Sequence, residues 1–131
     1  MKTTVVIARF LLGLIFLTFG LNGFLHFIPS SPPSGTAGQF VGALFVSHYL
    51  VPIFLLQIIS AVLLLINRYV PLALAILAPI IFNILLFHSL MAPSGLPLAL
   101  VATTLWILVF LGVRSAFAGL LQPRVAVPVS R

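Results

Sequence analysis

Ala61-Val-Leu-Leu-Leu-Ile-Asn67-Arg68-Tyr-Val-Pro-Leu-Ala73 is the stretch on which the reading of this chain turns. Asn67-Arg68 is a short polar break between two apolar runs, one from about Tyr49 to Ile66 and one from about Tyr69 to Leu90. Each run approaches the roughly 20 residues that a helix needs to span hydrocarbon. A break this short predicts a tight antiparallel hairpin of two such helices. Outward from it, residues 4–27 form a third apolar run and residues 96–120 a fourth. The expectation is one all-α integral membrane domain over residues 1–131, a bundle of four transmembrane helices at about 4–27, 49–66, 69–90 and 96–120.

Composition agrees with lipid as the solvent. The 131 residues are 63% hydrophobic and 5% charged, whereas soluble domains carry about 25% charged residues. A globule this poor in charge could not cover its surface with polar groups. The chain has no Asp and no Glu, which excludes carboxylate acid–base chemistry, hard-cation sites and carboxylate proton relays. It has no Cys, which excludes disulfides, thiolate metal sites and iron–sulfur clusters. The net charge of +6 comes from scattered residues. That pattern points to anionic lipid head groups rather than to nucleic acid.

The cations also orient the chain. With four crossings, Lys2, Arg9, Arg68, Arg114, Arg124 and Arg131 all fall on one side, and the two opposite loops contain no Lys or Arg. By the positive-inside rule both termini are then cytoplasmic in a bacterial inner membrane. Arg9, Arg68 and Arg114 are expected to reach lipid head groups by snorkelling.

The first outer loop is the long one. It opens on Pro29-Ser-Ser-Pro-Pro-Ser-Gly35, which cannot continue a helix. After it, Ala37, Phe40, Val41, Leu44 and Phe45 recur at the spacing of one helix face. Too short to span a bilayer, residues 36–47 read as an interfacial helix, with Thr36 as its N-cap. A faint echo links Asn22, His26 and Pro33-Ser-Gly35 with Asn83, His88 and Pro93-Ser-Gly95, a pattern that duplicated helix pairs would produce.

Polar residues inside the apolar runs are the candidates for function. Gly13, Gly20 and Gly23 share a stripe on the first helix, where small residues let a neighbouring backbone approach. Asn22, Gln57 and Asn83 are amides that must find interhelical partners or face a ligand such as a quinone carbonyl. His26, His48 and His88 all fall at the outer ends of their helices. Three imidazoles at one level could ligate haem or hydrogen-bond a quinone, or could sit at the interface for their amphipathic shape. No HxH or HxxxH pair occurs, so no preformed metal site is expected. Pro79 interrupts the third long helix and frees the Ala75 carbonyl, which predicts a kink.

Arg9-Phe-Leu-Leu-Gly-Leu-Ile-Phe-Leu-Thr-Phe-Gly-Leu-Asn-Gly-Phe24 resembles the opening of DoxX-like membrane proteins. Arg68-Tyr-Val-Pro-Leu-Ala-Leu74, Pro79, Asn83-Ile-Leu-Leu-Phe-His88 and Pro93-Ser-Gly-Leu-Pro97 resemble that family's third-helix region. The resemblance covers nearly the whole chain, and its motifs are packing motifs. It implies a four-helix inner-membrane bundle. Some relatives are associated with quinone-linked sulfur oxidation or act as subunits of membrane redox assemblies. Relatives that handle thiols through cysteine are not a precedent for a chain without Cys.

Three functions follow as expectations. The first is a non-catalytic accessory subunit of a respiratory or photosynthetic redox complex, with other membrane subunits as partners. The second is a binding protein for a quinone or another lipophilic ligand, with His26, His48, His88, Asn22, Asn83 and Gln57 as its candidate residues and quinone or haem as its candidate cofactor. The third is a small transporter, which the missing intramembrane carboxylates disfavour.

Overall fold

A computed structural model describes residues 2–129. Among them the regular structure is entirely helical. The elements are α1 (Lys2–Leu25), α2 (Gly35–Val46), α3 (Leu50–Leu65), α4 (Val70–Leu90) and α5 (Leu96–Val113). A 3₁₀ turn at Pro93–Gly95 leads into α5, and a 3₁₀ segment at Arg114–Leu121 continues from it.

Each helix end has a local cause. Asn67 adopts the left-handed conformation (φ 55°) just past α3. Its N–H donates to Leu64 O at 3.3 Å, and the Arg68 N–H donates to Leu63 O at 3.0 Å, the paired bonds of a Schellman stop. His48 does the same for α2. It has φ 58°, its N–H reaches Phe45 O at 3.1 Å, and the Tyr49 N–H reaches Leu44 O at 3.1 Å. His26 ends α1 with the simpler left-handed cap, at φ 50°, donating to Asn22 O at 2.9 Å. Asn and His are among the residues enriched in this region.

Three boundaries differ from the expectation. The stop at His26 ends α1 at Leu25, short of Phe27. The last helix is α-helical only to Val113 and tightens to 3₁₀ up to Leu121, where the Phe117 ring lies 5.1 Å from that of Phe110. The helix in the long loop starts at Gly35, with Ser34 and not Thr36 at its N-cap and no side-chain cap bond. The backbone explains the last shift. Gly35 sits at φ +63°, and a Cβ on Gly38 would lie 2.3 Å from Pro33 O, so the two glycines let the chain fold back tightly on the proline run.

Packing sets the helices antiparallel in order. On the α1 stripe, a Cβ at Gly13 would lie 2.9 Å from the Leu65 side chain, at Gly20 2.8 Å from Ile58, and at Gly23 2.4 Å from the Phe54 ring. As α1 is followed upward, α3 is met downward, with the backbones as close as only glycine permits. At Gly112 near the end of α5, a Cβ would lie 2.7 Å from Val5 near the start of α1. Trp106 of α5 donates its Nε1–H to Leu74 O of α4 at 3.0 Å. Lys2, Arg9, Arg68 and Arg114 therefore lie at one end of the bundle, and His26, His48 and His88 at the other. Leu12, Leu64, Leu74, Leu77 and Val109 are fully buried between the helices.

Outside, the bundle is apolar. Ile7, Ile59, Phe82 and Ile107 are exposed on α1, α3, α4 and α5, a surface suited to hydrocarbon and not to water. Three stretches are long and apolar enough to cross a membrane: α1, α4 and residues 93–121. A fourth is reached if α2 and α3, bent by 86° at their junction, are taken as one span. By itself α3 is about 24 Å long at 1.5 Å per residue.

The two Pro-Ser-Gly segments differ in form. Gly35 has φ +63° at the start of α2, whereas Gly95 has φ −88° and closes a 3₁₀ turn. The echo between the two halves does not extend to local backbone shape.

Candidate functional site: a cavity at the histidine end

A cavity of about 360 Å³ lies among α1, α3, α4 and the start of α5, in the half of the bundle nearer the histidines. Its walls are largely apolar, with Phe16, Phe19, Phe54 and Ile84 among them. Its volume falls in the range of small-molecule sites, about 300–1,000 Å³. Three polar side chains line it: Asn22 of α1, Gln57 of α3 and His88 of α4.

Each of the three has a different state of engagement. Gln57 is buried as a residue, at 7% exposure, while its carboxamide, which makes no hydrogen bond among the described residues, keeps some accessible surface towards the cavity. Asn22 uses its Oδ1 to accept the Ile28 N–H at 2.8 Å, which ties the chain leaving α1 back to the helix. An oxygen must be the accepting atom there, so the Asn22 NH₂ group is free to donate. The His88 Nδ1 lies 3.0 Å from Ala92 O. A carbonyl can only accept, so Nδ1 carries the proton, and in the neutral ring Nε2 is left with a lone pair.

Gly95 makes room for that imidazole. A Cβ there would lie 2.1 Å from His88 Cε1 and 2.3 Å from Nδ1. The Ala92 carbonyl also receives the Gly95 N–H at 3.2 Å, so the turn and the ring are held by one acceptor. Phe87 meets the His88 ring edge-on at 5.1 Å and is stacked on Phe40 of α2 at 5.9 Å.

The other sequence candidates lie elsewhere. Asn83 is exposed and donates its Nδ2–H to Pro79 O of its own helix at 2.8 Å. His26 and His48 are exposed at the helix stops, with the His26 ring 6.2 Å from Phe45. The three histidines share an end of the bundle but not a site. Among the described residues no three His, Cys, Asp or Glu side chains are grouped so as to hold a metal ion.

The interhelical bonds come from residues other than the expected amides. Arg9 turns inward, and its Nη1 donates to Leu64 O and, at 3.4 Å, to Leu65 O. Its partly buried guanidinium thus meets the partial negative charge of the α3 C-terminus. Arg9, expected to snorkel to lipid head groups, directs Nη1 to the carbonyls at this helix end. Arg68 and Arg114 are exposed. The second bond is that from Trp106 to Leu74 O, one residue before the carbonyl that Pro79 frees. A lone Trp in an apolar helix, which can only donate, was the sequence signal for it. Thr103 and Thr104 bond back to Ala99 O and Leu100 O at 2.7 and 2.9 Å, and the fully buried Ser60 hydroxyl has no partner among the described residues.

No family model, no curated protein and no solved structure matches the chain.

Proposed function

We propose that this chain is a DoxX-like integral membrane protein of four crossings that binds a lipophilic molecule with a polar head, of the quinone type, in the cavity between its helices. In this reading α3 is the short second crossing and α2 lies across its outer end. Both termini face the cytoplasm of a bacterial cell, and Lys2, Arg9, Arg68, Arg114 and Arg124 contact anionic head groups or helix ends on that side; Arg131 lies outside the described residues. The observation that carries the ligand is Gln57, whose carboxamide borders a largely apolar cavity. A polar group there without a partner is costly, and a ligand head group in the cavity would complete its hydrogen bonding. The aromatic walls would take the ring or the chain.

A second reading, an accessory subunit of a membrane redox assembly, is compatible with the first. A chain without Asp, Glu or Cys brings no carboxylate or thiolate to redox chemistry, so electrons would pass through a partner while this chain holds the molecule. Mild detergent extraction followed by mass spectrometry of the retained small molecules tests the proposal. A stoichiometric prenylated or aromatic lipid, lost from Gln57→Leu protein of unchanged helicity, is the expected result. Purified protein that carries only bulk phospholipid, and binds no added quinone or quinol, would rule it out.

A further inference from the structure

We infer that the cavity selects the hydroxyl-bearing, reduced form of its ligand, a quinol or similar phenol, over the corresponding quinone; this rests on the cavity binding such a molecule at all. The argument is a count of free donors and acceptors. Asn22 uses one lone pair of its oxygen on the Ile28 N–H and keeps its NH₂ group free to donate. Gln57, which lines the cavity with no bond to its carboxamide among the described residues, offers both a donor and an acceptor. His88 spends Nδ1–H on Ala92 O, so in the neutral ring Nε2 is an acceptor. A quinone has only carbonyl acceptors. It can satisfy the amides' N–H groups, but it leaves the His88 Nε2 and the Gln57 oxygen unpaired in an apolar cavity. A quinol carries two hydroxyls, each of which donates one proton and accepts in return, so it supplies one donor for the His88 Nε2 and one for the Gln57 oxygen while its oxygens accept from the amides. The tautomer behind this choice is built into the turn, because Ala92 O is held in place by the Gly95 N–H at 3.2 Å and the ring fits only because residue 95 lacks a side chain.

The test is calorimetric titration of the purified protein in lipid nanodiscs with tetramethylbenzoquinone and, under anaerobic reducing conditions, with its quinol. One buried acceptor left unpaired corresponds to about tenfold in affinity, so the quinol should bind at least about tenfold more tightly. The nitrogen NMR signal of His88 Nε2 should shift on adding the quinol and not the quinone. His88→Phe and Gly95→Ala, which remove or displace the imidazole, should narrow the difference between the two affinities to the share that Gln57 contributes, and the double variant His88→Phe/Gln57→Leu should abolish it. Equal affinities in the unmodified protein, or tighter quinone, would overturn the selectivity while leaving the ligand-binding cavity standing. Binding of neither compound would overturn the ligand-binding proposal itself, and this inference with it.

Discussion

Arg9 on α1 and Leu64 on α3 are joined by a hydrogen bond from the guanidinium to the carbonyl oxygen, 55 residues apart in sequence. The carbonyls that end α3 thus have three donors: the Asn67 and Arg68 backbone N–H groups and a charged side chain from the neighbouring helix. The same contact lies at the cation-bearing end, where α1 begins and α3 turns into α4.

Replacing Arg9 by Met should therefore weaken the bundle and not merely its attachment to lipid. Hydrogen bonds to charged groups contribute about 1.5–3 kcal/mol, and a loss near 2 kcal/mol is expected in reversible denaturation in mixed micelles. Arg9→Lys should recover part of it, since one ammonium can still reach the carbonyls. A Met variant as stable as the parent would place the guanidinium in the head groups instead.

His26 and His48 hold helix stops by their backbones, at φ 50° and 58°. Glycine adopts that conformation without the penalty of about 1–2 kcal/mol that a Cβ incurs. His26→Gly and His48→Gly should leave stability unchanged or raise it by up to about 1 kcal/mol, whereas Val at either position should lower it by more than 1 kcal/mol. Ligand affinity should be unaffected by the glycine variants. A Gly variant that loses bound ligand would show that the imidazole itself takes part.

Trp106→Phe removes the donor to Leu74 O while keeping an aromatic ring near Phe110, on which Trp106 stacks at 5.2 Å. Interhelical hydrogen bonds in membranes are worth about 0.6–2 kcal/mol, so a loss of about 1 kcal/mol in the same denaturation assay is expected. Helicity should be unchanged.

Because the chain has no Cys, single cysteines can map the sides of the membrane directly. Ser34→Cys and Ser94→Cys should react with a membrane-impermeant maleimide from one face, and Arg68→Cys and Gln122→Cys from the other. Labelling of Ser34→Cys and Gln122→Cys from the same face would break the four-crossing topology.

Much of the helical plan was legible from residues close in sequence. The break at Asn67-Arg68 reads correctly because a left-handed stop needs only a local residue that tolerates it. The glycine stripe reads correctly because its partner is any helix that approaches. His26 and His48 were legible as helix-end residues, but their backbone role was not, since a positive φ leaves little mark in a single sequence. Of the six ligand candidates, Asn22, Gln57 and His88 are brought to one cavity, while Asn83 turns back to its own helix. Periodicity places a residue on a face but does not say which face meets a neighbour.

Composition alone, with so few charges and no acids, determined that the chain seeks an apolar solvent, because burial of that much hydrocarbon cannot be arranged in water. Spacing determined where helices run, because that depends on bonds between residues five or fewer apart, while the stop at His26, the 3₁₀ continuation after Val113 and the start of α2 at Gly35 moved their ends. Only the tertiary structure decided that Arg9 caps α3, that Trp106 bridges to α4, and that one imidazole of three lines a cavity. Those outcomes depend on which carbonyls and which spaces lie across an interface, and no local pattern encodes that.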